Sequence, residues 1–184
     1  MTIDRLAIPD VLLISPKKFG DHRGFFMETY SRQKLKDMAG VDMDFVQDNH
    51  SLSGPVGTVR ALHCQLPPMA QAKLVRVIAG SVLDVAVDIR RSSPTFGKHV
   101  SQILSAENGK QMLIPVGFAH GFVTLEPNTE FVYKVSNYYS PPHERGIIWN
   151  DPDLGIDWQI DPSTAILSDR DTRHPQLKDA PDLF

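Results

Sequence analysis

Cysteine is scarce in this sequence, since Cys64 is the only one among 184 residues. A disulfide within the chain is therefore excluded, and the low cysteine content fits the reducing cytoplasm. The sequence also lacks an apolar run near the roughly 20 residues that a membrane-spanning helix needs. Its first residues, MTIDRLAIPDVL, lack the basic head and long apolar stretch of a signal peptide. We therefore expect a cytoplasmic protein with no membrane partner.

An excess of positive charge is absent as well: 22 Asp and Glu outweigh 19 Lys and Arg, for a net charge of −3. No stretch is dense in Lys and Arg, which argues against a nucleic-acid partner. The net charge does not exclude a small anionic ligand, because a few cationic side chains can converge locally. A chain of 184 residues buries roughly 70% of its unfolded surface, so it needs neither a disulfide nor a metal for stability.

Helix signals are few, whereas strand signals recur along most of the chain. Residues 31–40 (SRQKLKDMAG) predict a short helix that begins after Ser31 and ends at Gly40, and residues 162–171 predict a short turn. Segments rich in Val, Ile, Leu and aromatics predict strands at 58–66, 72–80, 81–91, 97–105, 111–125 and 129–139. This pattern predicts an all-β antiparallel barrel or sandwich, with a jelly roll as the natural choice.

From about Asn150 onward, Asp and Pro become dense and the strand pattern fades. We interpret this tail as irregular chain laid across the barrel, packed through Trp149 and Trp158, and not as a second domain. Residues 1–184 are thus expected to form a single domain.

Alternation within the predicted strands indicates an apolar barrel interior that also carries titratable groups. Lys73 shares a face with two valines, and His63 alternates with Cys64, which makes Cys64 a packed thiol pointing away from His63. Such a mixed face is typical of a ligand-binding barrel. Arg60 lies three residues from His63, so an unbroken strand puts the two on opposite faces. Either a bulge intervenes, or Arg60 acts from the rim or from a neighbouring subunit.

Two stretches resemble the paired motifs of the cupin superfamily. In the first motif Gly57 and His63 fit, but Gln65 stands at the second His position and no Glu follows at the required spacing. In the second motif the matching residues are Gly109, Pro115, Gly117 and His120, while Thr124 replaces the usual Asn. Two imidazoles alone make a poor metal site. We therefore predict a metal-free cupin-type jelly-roll barrel (a double-stranded β-helix) with a few short helices in the N- and C-terminal regions, and we disfavour a metallo-cupin oxygenase.

With His63 and His120 placed in these two motifs, the chain resembles the dTDP-4-dehydrorhamnose 3,5-epimerases over roughly residues 14–175. The family's motifs occur in order at DHRGFFME (21–28), QDNHS (47–51), RALH (60–63), QAKLVRV (71–77), PVGFAHGF (115–122), YKVSNYYSPPHERGI (133–147) and LSDRD (167–171). A single motif of this kind is weak evidence for a family, but this many motifs in the same order make the resemblance specific. Two positions depart from the pattern: Ala61 replaces the usual Gly, and Arg170 replaces the usual Lys but keeps the cation.

The resemblance implies a cofactor-independent isomerase that epimerises dTDP-4-dehydro-6-deoxy-D-glucose at C3 and C5, within dTDP-L-rhamnose biosynthesis. The 4-keto group acidifies the hydrogens on both flanking carbons. The reaction therefore needs a base on one face, an oxyanion stabiliser, and an acid on the other face. By this resemblance the catalytic residues are His63 as base, Asp171 as the carboxylate that orients it, Lys73 at the enolate oxygen, and Tyr133 as acid.

The same resemblance implies a homodimer and a set of residues that bind the dTDP-sugar: Arg23, Phe26, Glu28, Gln47, Asn49, Arg60, Lys73, His120, Tyr139, Glu144 and Arg170. The three arginines suit the diphosphate, because a guanidinium fork matches paired phosphate oxygens. Tyr139 would stack on thymine. His120 has either a direct role or a supporting one, in which it hydrogen-bonds to Asp84.

Two alternatives stay open beside the double epimerase. A mono-epimerase of a related dTDP-4-keto-deoxysugar would exchange a single proton, and pocket shape rather than motif decides between the two. A non-catalytic sugar-nucleotide binding module would have little need of a base and an acid together, so the complete catalytic set argues against it. No role is assigned to four histidines: His50, His99, His143 and His174.

Overall fold

Strands dominate the computed structural model, which describes residues 1–181 and 183–184. The strands are β1 (Thr2–Arg5), β2 (Leu12–Ser15), β3 (Lys18–Asp21), β4 (Gly24–Met27), β5 (Gln47–Ser53), β6 (Val59–Gln65), β7 (Lys73–Ala79), β8 (Ser81–Asp88), β9 (His99–Ser105), β10 (Gln111–Ile114), β11 (Phe118–Thr124), β12 (Thr129–Val135) and β13 (Glu144–Gly146). The helix is α1 (Arg32–Ala39), and 3₁₀ turns occur at Pro141–His143, Pro162–Thr164, Asp171–Arg173 and Leu177–Asp179. Within the described residues, no helix is long and apolar enough to cross a membrane.

Two antiparallel sheets form the body of the fold. The six-stranded sheet has the order β1-β2-β10-β7-β12-β5 and the five-stranded sheet the order β13-β6-β11-β8-β9, while β3 and β4 form a separate hairpin. Neighbours in each sheet are often distant in sequence, so the chain crosses repeatedly between the sheets, as in a jelly roll. The all-β jelly-roll prediction is confirmed.

One predicted strand, 111–125, is broken in two. β10 ends at Ile114 and β11 begins at Phe118, because Gly117 adopts a φ of 90° in the turn between them. The predicted strand at 129–139 is also shorter than expected and ends at Val135.

The sheets pack face to face around an apolar core. Val75 and Val77 of β7 belong to the same buried cluster as Phe122 of β11 and Phe131 of β12. The rings of Phe122 and Phe131 stack across the two sheets with their centroids 4.2 Å apart. Such a pair adds about 0.5–1.5 kcal/mol beyond area burial. It forms the floor of the cavity described below.

The tail covers the outer face of the five-stranded sheet. Leu83 and Val85 of β8 share an apolar cluster with Trp149 and Trp158, whose ring centroids lie 6.0 Å apart. Every residue of β8 is buried, because Val82 and Ala86 face the core between the sheets while Leu83 and Val85 lie under the tail. The arrangement agrees with the predicted packing of the tail through its tryptophans.

Helix α1 covers part of the outer face of the six-stranded sheet. Ser31 caps its N-terminus by accepting a hydrogen bond from the backbone N–H of Lys34 at 3.3 Å, and Gly40 ends it with a φ of 71°. Leu35 is buried and packs in one cluster with Leu12 of β2. Both predicted helix ends are confirmed.

Candidate active site

A polar cavity opens between the two sheets. An outer part of about 320 Å³ and an inner part of about 140 Å³ share the wall residues His63, Lys73 and Tyr133. The outer part is also lined by Gln47, Asn49, Cys64, Gln65, Gln71, Tyr139 and Glu144. The inner part is also lined by Ser51, Arg60, His120, Phe122 and Phe131. Most of the residues that the sequence singles out therefore meet in one place.

His63 and Asp171 form a hydrogen-bonded pair beside β6. His63 Nε2 donates to Asp171 Oδ1 at 2.7 Å, and the two side chains are 25% and 6% exposed. The backbone N–H of Asp171 in turn donates to Ser168 Oγ at 3.2 Å. Burial alone would raise the pKa of Asp171, but the hydrogen bond from His63 and the charge of His63 hold it below its ordinary value. The carboxylate is thus ionised at neutral pH, and Nδ1 is the His63 nitrogen left to act on a ligand.

A β-bulge in β6 turns Arg60 toward the same cavity as His63. Along β11, His120 pairs with His63. Phe122 pairs with Arg60, so three steps along β6 match two steps along β11. The extra residue reverses the alternation of side chains between the two faces of β6. Arg60 Nε then donates a hydrogen bond to Ser53 Oγ at 3.3 Å. Of the alternatives raised by the sequence, the bulge is confirmed, and Arg60 lines the cavity of its own chain.

Lys73 and Tyr133 face the cavity from the six-stranded sheet, opposite His63. Lys73 Nζ donates to the backbone carbonyl of His63 at 3.4 Å, and burial lowers the pKa of its ammonium. Burial raises the pKa of Tyr133, although the charge of Arg60 opposes the shift, so the hydroxyl is protonated at neutral pH. A proton acceptor thus lies on one sheet and a proton donor on the other, with the Lys73 amine beside them.

His120 is hydrogen-bonded to a buried carboxylate. His120 Nε2 donates to Asp84 Oδ2 at 2.8 Å, and the two residues are 7% and 0% exposed. Burial lowers the pKa of His120 and raises the pKa of Asp84. The expected hydrogen bond is confirmed, and a direct role of His120 in binding stays a prediction.

Five further predicted residues meet at the mouth of the outer cavity. Tyr139 Oη donates to Glu144 Oε2 at 2.6 Å, and Arg170 Nη2 contacts the same oxygen at 2.8 Å. Gln47 Oε1 accepts from the backbone N–H of Tyr139 at 3.2 Å, and Gln47 Nε2 donates to Asn49 Oδ1 at 2.8 Å. Tyr139 and the Arg170 side chain are about half exposed, so an aromatic ring and a guanidinium are accessible to a ligand.

Three predicted binding residues lie elsewhere in the chain. Arg23 pairs with Asp21 at 2.5 Å and is 78% exposed, while Glu28 pairs with Lys34 at 2.7 Å. Phe26 is 69% exposed. The reason is that strands β3 and β4 around Arg23 form their own two-stranded sheet. Within one chain the structure does not bring Arg23, Phe26 and Glu28 to the cavity.

Gln65 is a wall residue that the sequence reasoning missed. Its Nε2 donates to the carbonyls of Met69 at 2.6 Å and Tyr138 at 3.1 Å, and its Oε1 accepts from the backbone N–H of Ser140 at 2.8 Å. Gln65 therefore fixes the loop that carries Tyr139. A signal was present, since Gln65 occupies the second His position of the first cupin motif, but the motif indicates only a lost ligand there.

Cys64 borders the outer cavity but is only 6% exposed and belongs to the apolar cluster beneath the tail. Burial raises the pKa of its thiol to about 11, so it carries no thiolate at neutral pH. The prediction of a packed thiol is confirmed.

His174 lies against the pair of His63 and Asp171, a position that no sequence motif indicates. Its ring meets the His63 ring at 76° with the centroids 5.5 Å apart, and it lies over the backbone of Gly146, where a Cβ would overlap it. Burial lowers the pKa of His174. The donor atoms of His63, Asp171 and His174 lie within 4.8 Å of one another, and the part of the chain that the structure describes holds one such group of three.

Known proteins resemble this chain along its whole length. The sequence profile of the family described as dTDP-4-dehydrorhamnose 3,5-epimerase matches residues 5–179. The dTDP-4-dehydrorhamnose 3,5-epimerase of Shigella flexneri is 52% identical over 180 residues, which cover 98% of each chain.

Solved structures share the fold as well. The dTDP-6-deoxy-D-glucose-3,5-epimerase of Legionella pneumophila, in complex with dTDP-4-keto-L-rhamnose, has a TM-score of 0.92 and 45% identity, covering 96% of this chain and 93% of that one. A 3'-monoepimerase of Streptomyces bikiniensis, in complex with dTDP-quinovose, has a TM-score of 0.87 and 34% identity, covering 94% and 86%. The fold is therefore that of the cupin-type epimerases, as the two motifs predicted.

Proposed function

This chain belongs to the dTDP-4-dehydrorhamnose 3,5-epimerase family and is an epimerase, and from that premise we propose that it inverts both C3 and C5 of dTDP-4-dehydro-6-deoxy-D-glucose. The product is dTDP-4-dehydro-L-rhamnose, an intermediate of dTDP-L-rhamnose biosynthesis. The observation that carries the proposal is the pair of His63 and Asp171 on one side of the cavity, with Tyr133 on the opposite sheet.

In the proposed reaction, His63 Nδ1 takes the proton from a carbon next to the 4-keto group. The C–H electron pair forms a carbon–carbon double bond and the carbonyl π pair moves to oxygen, giving an enolate that Lys73 stabilises. Tyr133 then donates its hydroxyl proton to the opposite face of the same carbon, which inverts it. Solvent afterwards returns a proton to Tyr133 and takes one from His63, and the sequence repeats at the second carbon.

Asp171 stabilises the imidazolium that His63 becomes during this step, as the carboxylate of a catalytic triad does. The raised pKa of Tyr133 suits a group that must be protonated before it donates. Lys73 has given up hydration in its buried position, so an enolate oxygen is a favourable partner for it.

We assign the nucleotide to the outer cavity. Arg170 supplies a cation for the diphosphate at the mouth, Arg60 supplies a second one from the adjoining inner part, and the exposed ring of Tyr139 offers a stacking surface to thymine. The Legionella relative, crystallised with dTDP-4-keto-L-rhamnose, supports a dTDP-sugar as the ligand class. Glu144, Gln47 and Asn49 offer further polar contacts at the mouth.

We also propose a homodimer in which each chain completes its partner's site. Phe19, Phe25 and Phe26 of the hairpin are 54%, 64% and 69% exposed, an apolar surface of the kind that interfaces cover. Arg23 and Glu28 stand on and just after the same hairpin. Docked on a second copy, the hairpin would bring these predicted binding residues to the cavity that lacks them.

The proposed reaction needs no cofactor and no metal, because the chain itself supplies the proton acceptor, the proton donor and the enolate-stabilising cation. The cytoplasm stays the expected location, since the substrate is a nucleotide sugar and the one cysteine is a free thiol.

Proton NMR of dTDP-4-dehydro-6-deoxyglucose with the enzyme in heavy water tests the proposal. Loss of both the C3 and C5 proton signals is the expected result. Exchange at one carbon alone would make the protein a mono-epimerase, the activity named for the Streptomyces relative. Tight binding of dTDP without proton exchange at either carbon would indicate a non-catalytic sugar-nucleotide binding module.

Two variants test the assigned roles in the same assay. His63→Ala is expected to abolish exchange, because no base remains. Tyr133→Phe is expected to exchange protons but to fail to complete inversion. Full and equal loss of exchange in both variants would contradict the separate roles.

A further inference from the structure

The ring of His174 is buried beside the catalytic pair without a hydrogen bond to its inner nitrogen. Its Nε2 is inaccessible to solvent and has no hydrogen-bond partner among the described residues. The nearest carboxylate oxygen, Asp171 Oδ1, lies 3.5 Å away. A buried polar atom without a partner is costly, so it marks either a structural compromise or the place of a missing ligand.

The surroundings of this nitrogen suit a cation. Asp171 Oδ1 lies 2.7 Å from His63 Nε2 and 3.5 Å from His174 Nε2. Zinc bonds to nitrogen and oxygen of roughly 2.0–2.2 Å place tetrahedral donors about 3.3 Å apart, close to these two distances, and all three donor atoms lie within 4.8 Å of one another. Two imidazoles and one carboxylate are donors that borderline divalent metals prefer.

The charges around the cluster also favour a cation. Metal binding needs a deprotonated carboxylate and neutral imidazoles, the donor types that Asp171, His63 and His174 supply. Arg170 and Arg173 adjoin Asp171 and His174 in sequence, but Arg170 is paired with Glu144 at 2.8 Å and Arg173 Nε donates to the backbone carbonyl of Asp169 at 2.9 Å. Each guanidinium thus has a hydrogen-bond partner outside the cluster of His63, Asp171 and His174.

We propose that His63, Asp171 and His174 form an inhibitory site for a divalent transition-metal ion such as Zn²⁺. The ion would bind on the side of His63 that faces Asp171, away from the reacting sugar. Loss of the His63–Asp171 hydrogen bond accompanies binding, because the ion takes the place of the proton on Nε2.

Inhibition follows from the tautomer of His63. When a metal occupies Nε2, the single ring proton of neutral His63 moves to Nδ1. Nδ1 is the nitrogen that takes the substrate proton, so it no longer has a free electron pair. The ion thus blocks proton abstraction while it leaves the nucleotide-binding mouth intact.

Direct binding of Zn²⁺ tests the site without reference to activity. Zinc competition with a chromophoric chelator is expected to show one tight site per chain in the reduced protein. His174→Gln is expected to weaken zinc binding at least about tenfold, because loss of even an outer-sphere partner costs that much. His174→Cys restores a zinc ligand and is expected to regain the affinity.

His50→Gln is the matched control. His50 also pairs with a carboxylate, Glu130, at 2.8 Å, but its side chain is 53% exposed on the surface and has no second imidazole in the pair. Its substitution is expected to leave zinc affinity unchanged. Equal zinc affinity in wild type and His174→Gln, or an equal loss in His50→Gln, would overturn the proposal.

The inhibitory effect is a second, separate readout. Zn²⁺ is expected to suppress solvent exchange in the wild type and to require at least about tenfold more ion in His174→Gln. Mg²⁺ at the same concentration controls for complexes with the diphosphate, because it prefers oxygen ligands in octahedral geometry. Calorimetry is expected to give the same dTDP affinity with and without Zn²⁺.

This readout rests on the proposed function, whereas the binding measurement does not. Zinc bound at His174 without any loss of exchange would overturn the inhibitory role. Absence of exchange without zinc would instead count against the proposed function and leave the binding site standing.

Discussion

At the scale of single residues, Asp171 determines which tautomer His63 adopts. Asp171→Asn replaces the acceptor by an amide that can donate to Nε2, which favours a proton on Nδ1 and removes the charge that stabilises the imidazolium. We expect the rate of solvent exchange to fall about a hundred- to ten-thousand-fold, with dTDP affinity unchanged. NMR exchange rates and calorimetry measure the two quantities.

Asp169→Asn is the control for that experiment, because Asp169 is an exposed acid two residues earlier in the same segment. Its exchange rate is expected to match the wild type. A loss below tenfold in Asp171→Asn would show that the pair of His63 and Asp171 is structural.

The site could be predicted from the sequence where the residues stand in motifs, and not where geometry decides. His63, Lys73 and Tyr133 stand in strands whose motifs identify them. The hydrogen bond from His63 to Asp171 joins residues 108 positions apart, which spacing does not reveal, and it was expected only from the resemblance carried by the motif at 167–171. His174 has no motif, so its place against Asp171 depends on how the tail folds back.

At the scale of elements, the bulge in β6 needs a small residue on the neighbouring strand. A Cβ at Gly121 would lie 2.7 Å from Ala61 Cα and 2.9 Å from the carbonyl oxygen of Arg60. Gly121→Ala is therefore expected to lower the free energy of unfolding by about 1–3 kcal/mol, as overpacking does. Urea denaturation measures the loss.

Ala61→Gly added to Gly121→Ala is expected to recover part of that stability. It removes the Ala61 Cβ, with which the new methyl group overlaps, but leaves the backbone in place. Gly54→Ala is the control, since a Cβ there meets no atom within 4 Å. Full stability in Gly121→Ala would contradict the close approach of the two strands.

The end of β8 is stabilised by a buried carboxylate. Asp88 Oδ1 accepts from Arg90 Nε at 2.9 Å, and Oδ2 accepts from Ser93 Oγ and Thr95 Oγ1, both at 2.6 Å. We expect Asp88→Asn to lower the free energy of unfolding by about 2 kcal/mol at pH 7, because hydrogen bonds to a charged group are lost. Asp10→Asn, which removes an exposed partner of Arg90, is expected to lose less than about 1 kcal/mol.

The effect of Asp88 depends on pH with a definite sign. Burial alone would raise the pKa of Asp88, but hydrogen bonds from Arg90, Ser93 and Thr95 hold it far below its ordinary value. Its stabilisation is therefore complete above the unfolded pKa of about 3.9 and is lost as the pH falls toward the lower folded value. Urea denaturation at pH 7 and pH 3 is expected to show a smaller difference between wild type and Asp88→Asn at pH 3.

Long, apolar strands were predictable, and short or polar ones were not. β6 to β9 carry runs of Val, Leu and Ile bounded by turn residues. β5 has the polar sequence QDNHSLS and owes its conformation to pairing with β12 along its full length. The hairpin of β3 and β4 has four residues per strand, too few for a periodic signal.

At the scale of the whole molecule, the proposed exchange of hairpins makes activity a property of two chains. His63→Ala removes the proposed base from the cavity of its own chain, whereas Arg23→Ala removes a proposed binding residue from the hairpin of its own chain. A mixed dimer of the two variants would pair one intact cavity with one intact hairpin. Random reassociation of equal amounts is expected to recover roughly a quarter of the wild-type activity.

In the first sample the two variants are partially unfolded and refolded together. In the second they are refolded separately and then combined, and the epimerase activities of the two samples are compared. Recovery in the first sample alone supports shared sites. No recovery would mean that Arg23 serves its own chain or no site at all.

The two tryptophans make the docking of the tail measurable by intrinsic fluorescence. Both tryptophans of the chain, Trp149 and Trp158, are packed against the outer face of the five-stranded sheet, and Trp158 Nε1 donates to the Trp149 carbonyl at 2.9 Å. Residues 1–148 contain no tryptophan. Indole fluorescence therefore reports the docking of the tail, and its emission shifts to the red when the tail separates from the barrel.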